Sequence, residues 1–512
     1  MPHLIRIGSR KSTLARLQTF LVADAIRKLH PDIQIEYYFR ESLGDKDLQS
    51  PLWQMRGRGV FTKDFQDDLL QKKYDLVVHS WKDLELESIP ETKIIPVLQR
   101  ADARDILLFK KAALDNTPRE IRLMSSSPRR EYNLSRYLKK AFPLRLQKCK
   151  ISFNPVRGNI QTRIKKWQES SDTQGIVIAK AALDRLLQAN FPEAEAEEFP
   201  QIRNYIRSIL DECVFMVLPL SENPNAPAQG ALALEILSEN TELLQLLTPL
   251  TQQEVAKSVG YERQELKKYG GGCHQKIGVA HQKVNFGNFF SLRGKTDAGE
   301  TLHTCLLEKD HFQPQANTES QLCPLHGEGF HFTRKPIPIQ EVPTGPLWIS
   351  RSSAWQDHWQ QKDLQQIIWC AGVKTLYDLA SKNIWVHGTA DGLGESNDGN
   401  LQHVAGKQIQ FRKLTHSKSS EIDSHLARIT TYELLLERGM QSVEEKEFFF
   451  WMSGYQFDLA LQEYPQIAHK YHACGPGITV SHIQKKLGEN GKLDIFLNYR
   501  EWKKYHLQTT SE

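Results

Sequence analysis

The most constraining feature of the sequence is a short apolar stretch followed by a polar turn and then by a helical pattern. It is clearest at residues 74–79, which run into Ser80, Trp81, Lys82 and Asp83. The same order recurs at residues 121–130, 156–163 and 175–185. Largely apolar strands that alternate with helices are typical of sheets buried on both faces. The sequence therefore predicts an α/β fold in which residues at the carboxyl ends of strands, Lys82 and Asp83 among them, line a ligand site.

Basic residues follow several of these predicted strands. After the first strand, at 4–8, Arg10 and Ser12 lie at the start of a predicted helix, where free backbone N–H groups favour anions. The arginines after later strands are Arg129, Arg130, Arg157, Arg163 and Arg185. A single arginine on a helix is usually just solvated. Because guanidinium groups bind carboxylates and phosphates through paired hydrogen bonds, four such strand ends predict a cleft for a polycarboxylate or a polyphosphate.

The net charge of +5 hides a strongly basic segment. Residues 119–166 contain 14 Lys and Arg against 2 Asp and Glu, which predicts an anionic partner. Nucleic acid and a small polyanion both satisfy that prediction. Because the arginines follow strands and are not interleaved with aromatic residues, the pattern favours a small anion.

Length and composition indicate a globular protein of about three or four domains, with 512 residues of which 40% are hydrophobic. No run of 18 apolar residues occurs, so we expect no membrane-spanning helix. The strand predicted at 4–8 leaves no room for a signal peptide. The seven cysteines are odd in number, widely scattered and without zinc-ligand spacing. This predicts reduced thiols, a cytoplasmic location and no metal site.

A glycine-rich turn at residues 269–274 carries one cysteine, Cys273. The helical pattern over 252–268 stops at its first glycine. Three consecutive glycines are costly to order, so the turn is suited to letting a bulky group approach the thiol. A lone cysteine is more often a small buried side chain, and that alternative stays open on this stretch alone.

The C-terminal third contains a loose internal repeat. A proline-rich segment at 335–345 predicts a linker between domains. Beyond it, residues 347–350 and 370–375 resemble 450–453 and 474–479, at an offset of roughly 103 residues. Each half contains a strand that ends in serine, a second strand, a glycine turn and a helix. This predicts two α/β subdomains around a cleft, although chance similarity between two such common units is the alternative.

Residues 6–334 resemble hydroxymethylbilane synthase, also called porphobilinogen deaminase, through motifs that occur in that family's order. The motifs are His79-Ser80-Trp81-Lys82-Asp83, Arg104-Asp105, Ser126-Ser127-Pro128-Arg129-Arg130, Arg157-Gly158-Asn159 with Thr162-Arg163, and Glu262-Arg263 followed by Gly271-Gly272-Cys273. The resemblance implies two periplasmic-binding-protein-like lobes and a small α+β cofactor-carrying domain. On this basis we expect a first lobe at 1–100 and 210–239, an arginine-rich second lobe at 101–209 and the cofactor domain at 240–334.

The resemblance also implies a reaction. Cys273 would hold a dipyrromethane through a thioether, and four porphobilinogen units would be added to it with loss of ammonia before water releases hydroxymethylbilane. Asp83 would be the catalytic carboxylate, with Lys82 beside it. The cofactor-binding residues would be Asp83, Ser127, Arg129, Arg130, Arg157 and Arg163, and the substrate-binding residues Arg10, Ser12, Arg58 and Arg185. We expect a monomer that binds porphobilinogen and hydroxymethylbilane, with no nucleic acid and no membrane as partners.

Three positions depart from that family's pattern. Gln54 and Arg58 stand where the family has lysines in its active-site loop. Leu84-Glu85 replaces the usual Val-Pro and adds a negative charge beside Asp83. Residues 225–230 replace the family's Pro-x-x-Gly-Gln-Gly.

The region from residue 346 to the C-terminus resembles uroporphyrinogen III synthase, a two-lobed α/β family that consumes hydroxymethylbilane. The residues that match its tetrapyrrole-binding strand ends are Ser350, Gly372, Thr375, Ser453 and Thr479. The resemblance implies a separate two-lobed domain at 346–512 and a bifunctional enzyme. The alternatives are a deaminase with a non-catalytic C-terminal module and a polycarboxylate-binding protein, and the lack of a signal peptide and the presence of Cys273 count against the latter.

Overall fold

The computed structural model describes residues 3–42, 62–87, 89–116, 118–188, 193, 198–271, 275–309, 314–325, 327–419, 424–441 and 443–507. Its helices are α1 (Thr13–Leu29), α2 (Lys63–Leu70), α3 (Ala112–Asp115), α4 (Pro128–Ala141), α5 (Leu144–Gln147), α6 (Ile160–Glu169), α7 (Lys180–Gln188), α8 (Phe199–Asp211), α9 (Thr241–Leu247), α10 (Gln253–Lys267), α11 (Val373–Ser381), α12 (Gln402–Ala405), α13 (Gly454–Glu463), α14 (Ile478–Leu487) and α15 (Tyr499–Leu507). Its strands are β1 (Leu4–Arg10), β2 (Gln34–Arg40), β3 (Leu76–Ser80), β4 (Thr92–Val97), β5 (Asp105–Lys110), β6 (Glu120–Met124), β7 (Lys150–Asn154), β8 (Gly175–Ala179), β9 (Cys213–Val217), β10 (Leu232–Leu237), β11 (Gly278–Val284), β12 (Gly287–Lys295), β13 (Thr301–Glu308), β14 (Leu322–Cys323), β15 (His331–Pro336), β16 (Leu347–Ile349), β17 (Ile368–Cys370), β18 (Gly388–Thr389), β19 (Arg412–His416), β20 (Ala427–Arg438), β21 (Phe448–Trp451), β22 (Tyr471–Cys474) and β23 (Leu493–Ile495).

Two mixed sheets form the first half of the chain and define lobe 1 and lobe 2. Lobe 1 has the strand order β2-β1-β3-β10-β4, and lobe 2 has the order β7-β6-β8-β5-β9. In each sheet four strands run in the same direction, and the strand that arrives from the other lobe, β10 or β5, runs antiparallel to them. The central strand β3 is fully buried at Leu76 and Val77. The predicted buried strands and the α/β fold are confirmed in this half.

The boundary of lobe 1 differs from the expected one. Residues 210–239 were expected to belong to it as one segment, but β9 pairs with β5 at the edge of lobe 2. Only β10 joins lobe 1, between β3 and β4. The cause is burial: Val214, Met216 and Val217 complete the apolar cores of lobe 2.

A three-stranded antiparallel sheet, β11-β12-β13, forms a small domain with α10. Its core contains Leu266 of the helix together with Ile277, Val279, Phe290 and Leu292. This is the α+β unit that the sequence predicts between the helix at 252–268 and the strand at 290–294.

Two further sheets form the C-terminal region. The first has the order β14-β21-β22-β23 and is parallel throughout; the second has the order β15-β20-β19-β16-β17-β18. The antiparallel pair β15 and β20 connects them. Both halves of the predicted repeat contain the expected strand, strand and helix: β16, β17 and α11 in one, β21, β22 and α14 in the other.

The strand pairing before the C-terminal region differs from the expected layout. Residues up to 334 are expected in the cofactor domain, with a linker at 335–345, yet β14 and β15 pair with strands that lie about one hundred residues or more later. The sheets therefore divide between β13 and β14. The prolines at 336 and 338 mark the end of an edge strand, where a missing N–H is tolerated.

The C-terminal region shares a hydrophobic core with lobe 2. The backbone N–H of Val217 in β9 donates to the carbonyl of His387, and the indole N–H of Trp385 donates to the carbonyl of Phe215, at 2.8 and 2.9 Å. Trp385 also packs against Phe109 of lobe 2. The β9 edge of the lobe 2 sheet thus meets the β18 edge of the six-stranded C-terminal sheet. The domain expected to be separate is therefore joined to lobe 2. Within the described ranges, no helix is both long and apolar enough to cross a membrane.

Candidate functional site

The carboxyl ends of β1 and β3 bring two predicted site residues together. β1 ends at Arg10 and β3 at Ser80, and the strands are parallel neighbours, so their ends lie at one edge of the sheet. The 3₁₀ turn Trp81–Asp83 follows, with Trp81 buried beneath it. A guanidinium nitrogen of Arg10 lies 3.4 Å from a carboxylate oxygen of Asp83, and both side chains keep partial exposure. Asp83 is thus paired but accessible.

Lys82 lies beside Asp83 among further cations. Part of its side chain is exposed, yet the protein around it disfavours the charged form and lowers its pKa. Asp83 opposes that shift, whereas Arg130 and Arg163 add to it by charge repulsion. A lysine with a lowered pKa gives up its proton more easily at neutral pH than an ordinary one.

Arg163 of lobe 2 lies near the same carboxylate, with Arg157 beside it. Arg157 follows β7, and Arg163 on α6 donates from Nε to the carbonyl of Gly158 at 2.7 Å. Burial, together with repulsion from Arg130 and Arg157, lowers the pKa of Arg163 to about 10, while Asp83 acts in the opposite direction. Arg163 of lobe 2 therefore interacts with the acid of lobe 1.

Arg129 and Arg130 bind a buried carboxylate. Asp105 is fully buried and accepts from Arg129 at 2.8 Å and from Arg130 at 2.7 and 3.0 Å. Asn223 and Gln229 donate to it as well, each at 2.9 Å. Burial by itself raises the pKa of Asp105, but the two arginines overcome this and hold it below its usual range. The expected role of both arginines in holding a cofactor stays a prediction. In the structure, Arg129 also donates to Asn223 and Pro224 and so joins α4 to residues 218–231, the crossover segment between β9 of lobe 2 and β10 of lobe 1.

Ser127, Ser12 and Arg185 take different positions. Ser127 caps α4 by accepting from the N–H of Arg130 at 3.4 Å. Ser12 occupies the N-cap of α1 without a side-chain capping bond, which leaves its hydroxyl group available at the end of β1. Arg185 donates to the carbonyl of Gly230 at 2.7 Å, and burial lowers its pKa to about 10. Arg185 therefore braces the crossover segment.

Helix α10 ties the small domain to the loop after Asp83. Glu262 is fully buried and accepts two hydrogen bonds of 2.9 Å from Arg100. Its neighbour Arg263 donates to the backbone carbonyls of Leu84 and Glu85, and burial lowers its pKa to about 10. Leu84 and Glu85, the two residues after Asp83 that differ from the family's Val-Pro, are thus held through their backbone carbonyl groups. Because a backbone carbonyl is present whatever the side chain, these hydrogen bonds do not depend on the residue type at either position.

The glycine turn begins against that same loop. Gly271 has φ +66, and a Cβ atom built there would lie 2.5 Å from Leu86. Lys267 at the end of α10 pairs with Glu87 at 3.3 Å. The described part of the turn therefore starts next to the segment that follows Asp83. Two predicted site residues, Cys273 and Arg58, lie outside the described residues.

The five C-terminal site residues lie at strand ends and helix starts. Ser350 follows β16, and its hydroxyl donates to a carbonyl of β19 at 2.9 Å. Gly372 and Thr375 lie at the start of α11, Ser453 caps α13, and Thr479 is in the first turn of α14. Between the two halves, a Cβ atom on Gly394 would lie 2.9 Å from the backbone of Gly477. The loops of the two sheets therefore meet where those residues are found.

Residues 5–245 match the family model "Porphobilinogen deaminase, dipyromethane cofactor binding domain". Porphobilinogen deaminase of Natranaerobius thermophilus is 34% identical over 276 residues, which are 54% of this chain and 78% of that protein. The chain belongs to the porphobilinogen deaminase family. The Clostridium novyi deaminase is 31% identical over 59% of this chain and 92% of its own length, and the Streptococcus sanguinis deaminase is 30% identical over 65% and 99%.

Likeness to solved structures is weak. The reduced OxyR regulatory domain from Pseudomonas aeruginosa covers 48% of this chain and 96% of its own length at 9% identity, with a TM-score of 0.25.

Sequence reasoning missed several residues that hold the deaminase site together. Asn223, Gln229 and Arg100 were assigned no role, and Glu262 and Arg263 entered only as part of a motif. For Glu262 a signal was present, since it lies at helical spacing from the apolar residues Val259 and Leu266, and a glutamate on a buried helix face seldom lacks a cationic partner. What the sequence cannot show is which partner lies 162 residues away in the chain.

Proposed function

We propose that this protein is a hydroxymethylbilane synthase that condenses four porphobilinogen molecules into linear hydroxymethylbilane. The observation that carries the proposal is the accessible carboxylate of Asp83 beside Arg10, with Lys82 adjacent and Arg163 near it. Each porphobilinogen carries an acetate and a propionate, so a growing chain requires many cations, and this cleft supplies them. The Asp83 carboxylate amid them is suited to stabilising the positive charge that develops as ammonia leaves.

The described residues also fit a resident dipyrromethane held by Cys273. Two pyrroles carry four carboxylates, and Arg10, Arg157 and Arg163 together with Lys82 offer matching cations around Asp83. Bound there, the group supplies a nucleophilic pyrrole carbon that starts the chain. Asp83 orients the ring N–H by accepting its hydrogen bond and can take up and return a proton at its carboxylate oxygens. Lys82 donates to a substrate carboxylate or returns a proton to the departing amine.

Intact-mass spectrometry tests the covalent attachment. We expect the wild-type chain to carry the mass of two pyrrole units and Cys273→Ser to lose it. Cys305→Ser is the matched control, because Cys305 lies in β13 of the same small domain and burial raises the pKa of its thiol well above the usual value. An unmodified wild-type chain without activity on porphobilinogen contradicts the proposal.

The C-terminal region is proposed to be a uroporphyrinogen III synthase that cyclises the product. In its support, a strand in each of its two sheets is followed closely by a serine, Ser350 after β16 and Ser453 after β21, and their loops meet at Gly394 and Gly477. Hydroxyl and backbone N–H donors from two facing halves suit a ligand with carboxylates around its rim. The rival proposal is a non-catalytic module that only stabilises lobe 2, which the shared core with Trp385 favours.

Product analysis separates these two proposals. Porphobilinogen is supplied to the full chain, and the porphyrin isomers are identified after oxidation. Isomer III is expected from a working synthase, and its fraction should fall in the Thr375→Val and Thr479→Val variants, which keep side-chain shape and remove a hydroxyl group. Isomer I alone from the wild-type chain contradicts catalysis by the C-terminal region and leaves the deaminase proposal untouched.

A further inference from the structure

A small cavity of about 40 Å³ lies away from Asp83, between α4 of lobe 2 and strands β12 and β13 of the small domain. A cavity needs about 10–15 Å³ on this scale to hold one water, so this cavity has room for a small oxyanion. Asn133 and Arg136 line it from α4, Arg293 from β12 and His303 from β13. None of these residues belongs to the proposed active site.

Asn133 is the buried polar group of this cavity. Its residue surface is 1% exposed, and both its amide nitrogen and its amide oxygen lack a hydrogen-bond partner. Leaving such a group unsatisfied costs about 1–3 kcal/mol. A buried asparagine without a hydrogen-bond partner among the described residues indicates that something else occupies the cavity and binds it.

The charges around Asn133 are predominantly positive. Arg136 is exposed and forms no ion pair with any acidic side chain of the described chain. Arg293 is paired with Glu222 at 2.5 Å. Burial, followed by repulsion from Arg293, Arg500 and Arg136, lowers the pKa of His303. At neutral pH His303 is therefore uncharged and can donate or accept a hydrogen bond. It lies among the guanidinium groups of Arg136, Arg293 and Arg500, and Glu222 neutralises the charge of Arg293.

Arg500 extends this cluster to the C-terminal region. It is the second residue of α15 and is exposed. Leu497, three residues earlier, packs beside Gly392 and Gly475, where the loops of the two C-terminal halves meet. The basic cluster consequently spans lobe 2, the small domain and the entrance to the C-terminal loops.

We propose that Asn133, Arg136, Arg293 and His303 form an oxyanion site, named here the junction site, that binds one carboxylate or phosphate group. The amide N–H of Asn133 donates to one oxygen, and Arg136 supplies the balancing charge through charge-assisted hydrogen bonds. Two sources share this chemistry: a free inorganic anion, or a carboxylate of the linear tetrapyrrole as it leaves the deaminase site. The second source rests on the proposed function.

Crystals of the full chain soaked in selenate test the site directly, because selenium scatters anomalously. An anomalous peak within hydrogen-bond distance of Asn133 is expected in the wild type. Arg136→Ala and Asn133→Leu should lose it at the concentration that saturates the wild type, a weakening of about tenfold or more. Arg145→Ala, an exposed arginine of α5 in the same lobe, is the control and should keep it.

Folding failure is distinguished from loss of the site by the leucine variant. Asn133→Leu replaces unsatisfied polar atoms by an apolar group of similar size, so its melting temperature should stay the same or rise while the peak disappears. Absence of a peak in the wild type, or its persistence in both variants, overturns the proposal.

The source of the anion is found from the product. If tetrapyrrole carboxylates use the junction site, Arg136→Ala and Arg500→Ala should raise the fraction of isomer I several-fold while ammonia release stays within twofold of the wild type. A selenate peak with an unchanged isomer ratio assigns the site to a free anion. A wild type that makes isomer I alone refutes the synthase proposal, and the selenate result still decides the junction site.

Discussion

Glu262→Gln is expected to loosen the small domain from the crossover between the lobes. The carboxylate of Glu262 is fully buried and receives donors from four places: Arg100, Asn225 and the backbone N–H groups of Ala228 and His281. A glutamine keeps the shape but replaces one oxygen by a donor. That donor then faces other donors, and the guanidinium group of Arg100 loses its counter-charge.

The magnitude follows from that burial. Breaking a buried ion pair by removing one partner costs about 3–5 kcal/mol, and the Arg100 side chain is only 11% exposed. An opening free energy lowered by about 3 kcal/mol corresponds to a rise of about 150-fold in the exchange rate of protected amides.

Native-state hydrogen exchange of α10 measures this locally, which suits a chain with several domains. Glu254→Gln is the matched control, because it makes the same chemical change on the same helix at a side chain that is 58% exposed and pairs only with Lys257 at 3.2 Å. The control should change exchange by less than about 1 kcal/mol. Equal protection in the two variants would refute the argument that Glu262 anchors the helix.

Three further outcomes are expected. Asp83→Asn should keep the melting temperature within a few degrees and slow porphobilinogen consumption by about 10²–10⁴-fold; a near-normal rate rules out its catalytic role. Arg263→Gln should free the carbonyls of Leu84 and Glu85 and slow turnover by about tenfold to a hundredfold through misplacement of the neighbouring acid, so unchanged kinetics contradict a positioning role. Burial lowers the pKa of His387 to about 3. Below about pH 6.5 this histidine is therefore protonated in the unfolded chain but stays neutral in the folded chain, so the free energy of unfolding decreases as the pH falls. At pH 5 the lost stability from His387 amounts to about 2 kcal/mol. His387→Asn should therefore lose less melting temperature than the wild type between pH 7.5 and 5.0. An identical loss in the two proteins contradicts this role of His387.

The sequence predicted the elements better than their partners. The order of strand, turn and helix placed Arg10 and Asp83 at strand ends, and the structure brings them within 3.4 Å because β1 and β3 are parallel neighbours. The burial of β3 was equally readable from its unbroken apolar run. The local sequence pattern is thus enough to predict the burial of a strand and the residues at its end.

Pairing between distant segments was not predictable in the same way. Nothing in the apolar pattern of β9 indicates whether it joins lobe 1 or lobe 2, since both offer an apolar edge. Likewise, β15 carries mostly exposed residues and resembles a linker until β20 is beside it. Arg129 illustrates the same limit at a site, because a guanidinium group that suits a ligand carboxylate suits Asp105 equally well.

The long-range pairing of β14 and β15 has a consequence for synthesis of the chain. Both strands leave the ribosome well before β20 and β21, their partners, are made. Until then the apolar side chains of Leu322 and Cys323, fully buried in the finished protein, have no sheet to join. The edge of β9 is uncovered for part of the same interval. Such unpaired edges are templates for aggregation. The strands of lobe 1, lobe 2 and the small domain are complete by residue 308, yet the β9 edge stays open to aggregation until the last two hundred residues are made and cover it.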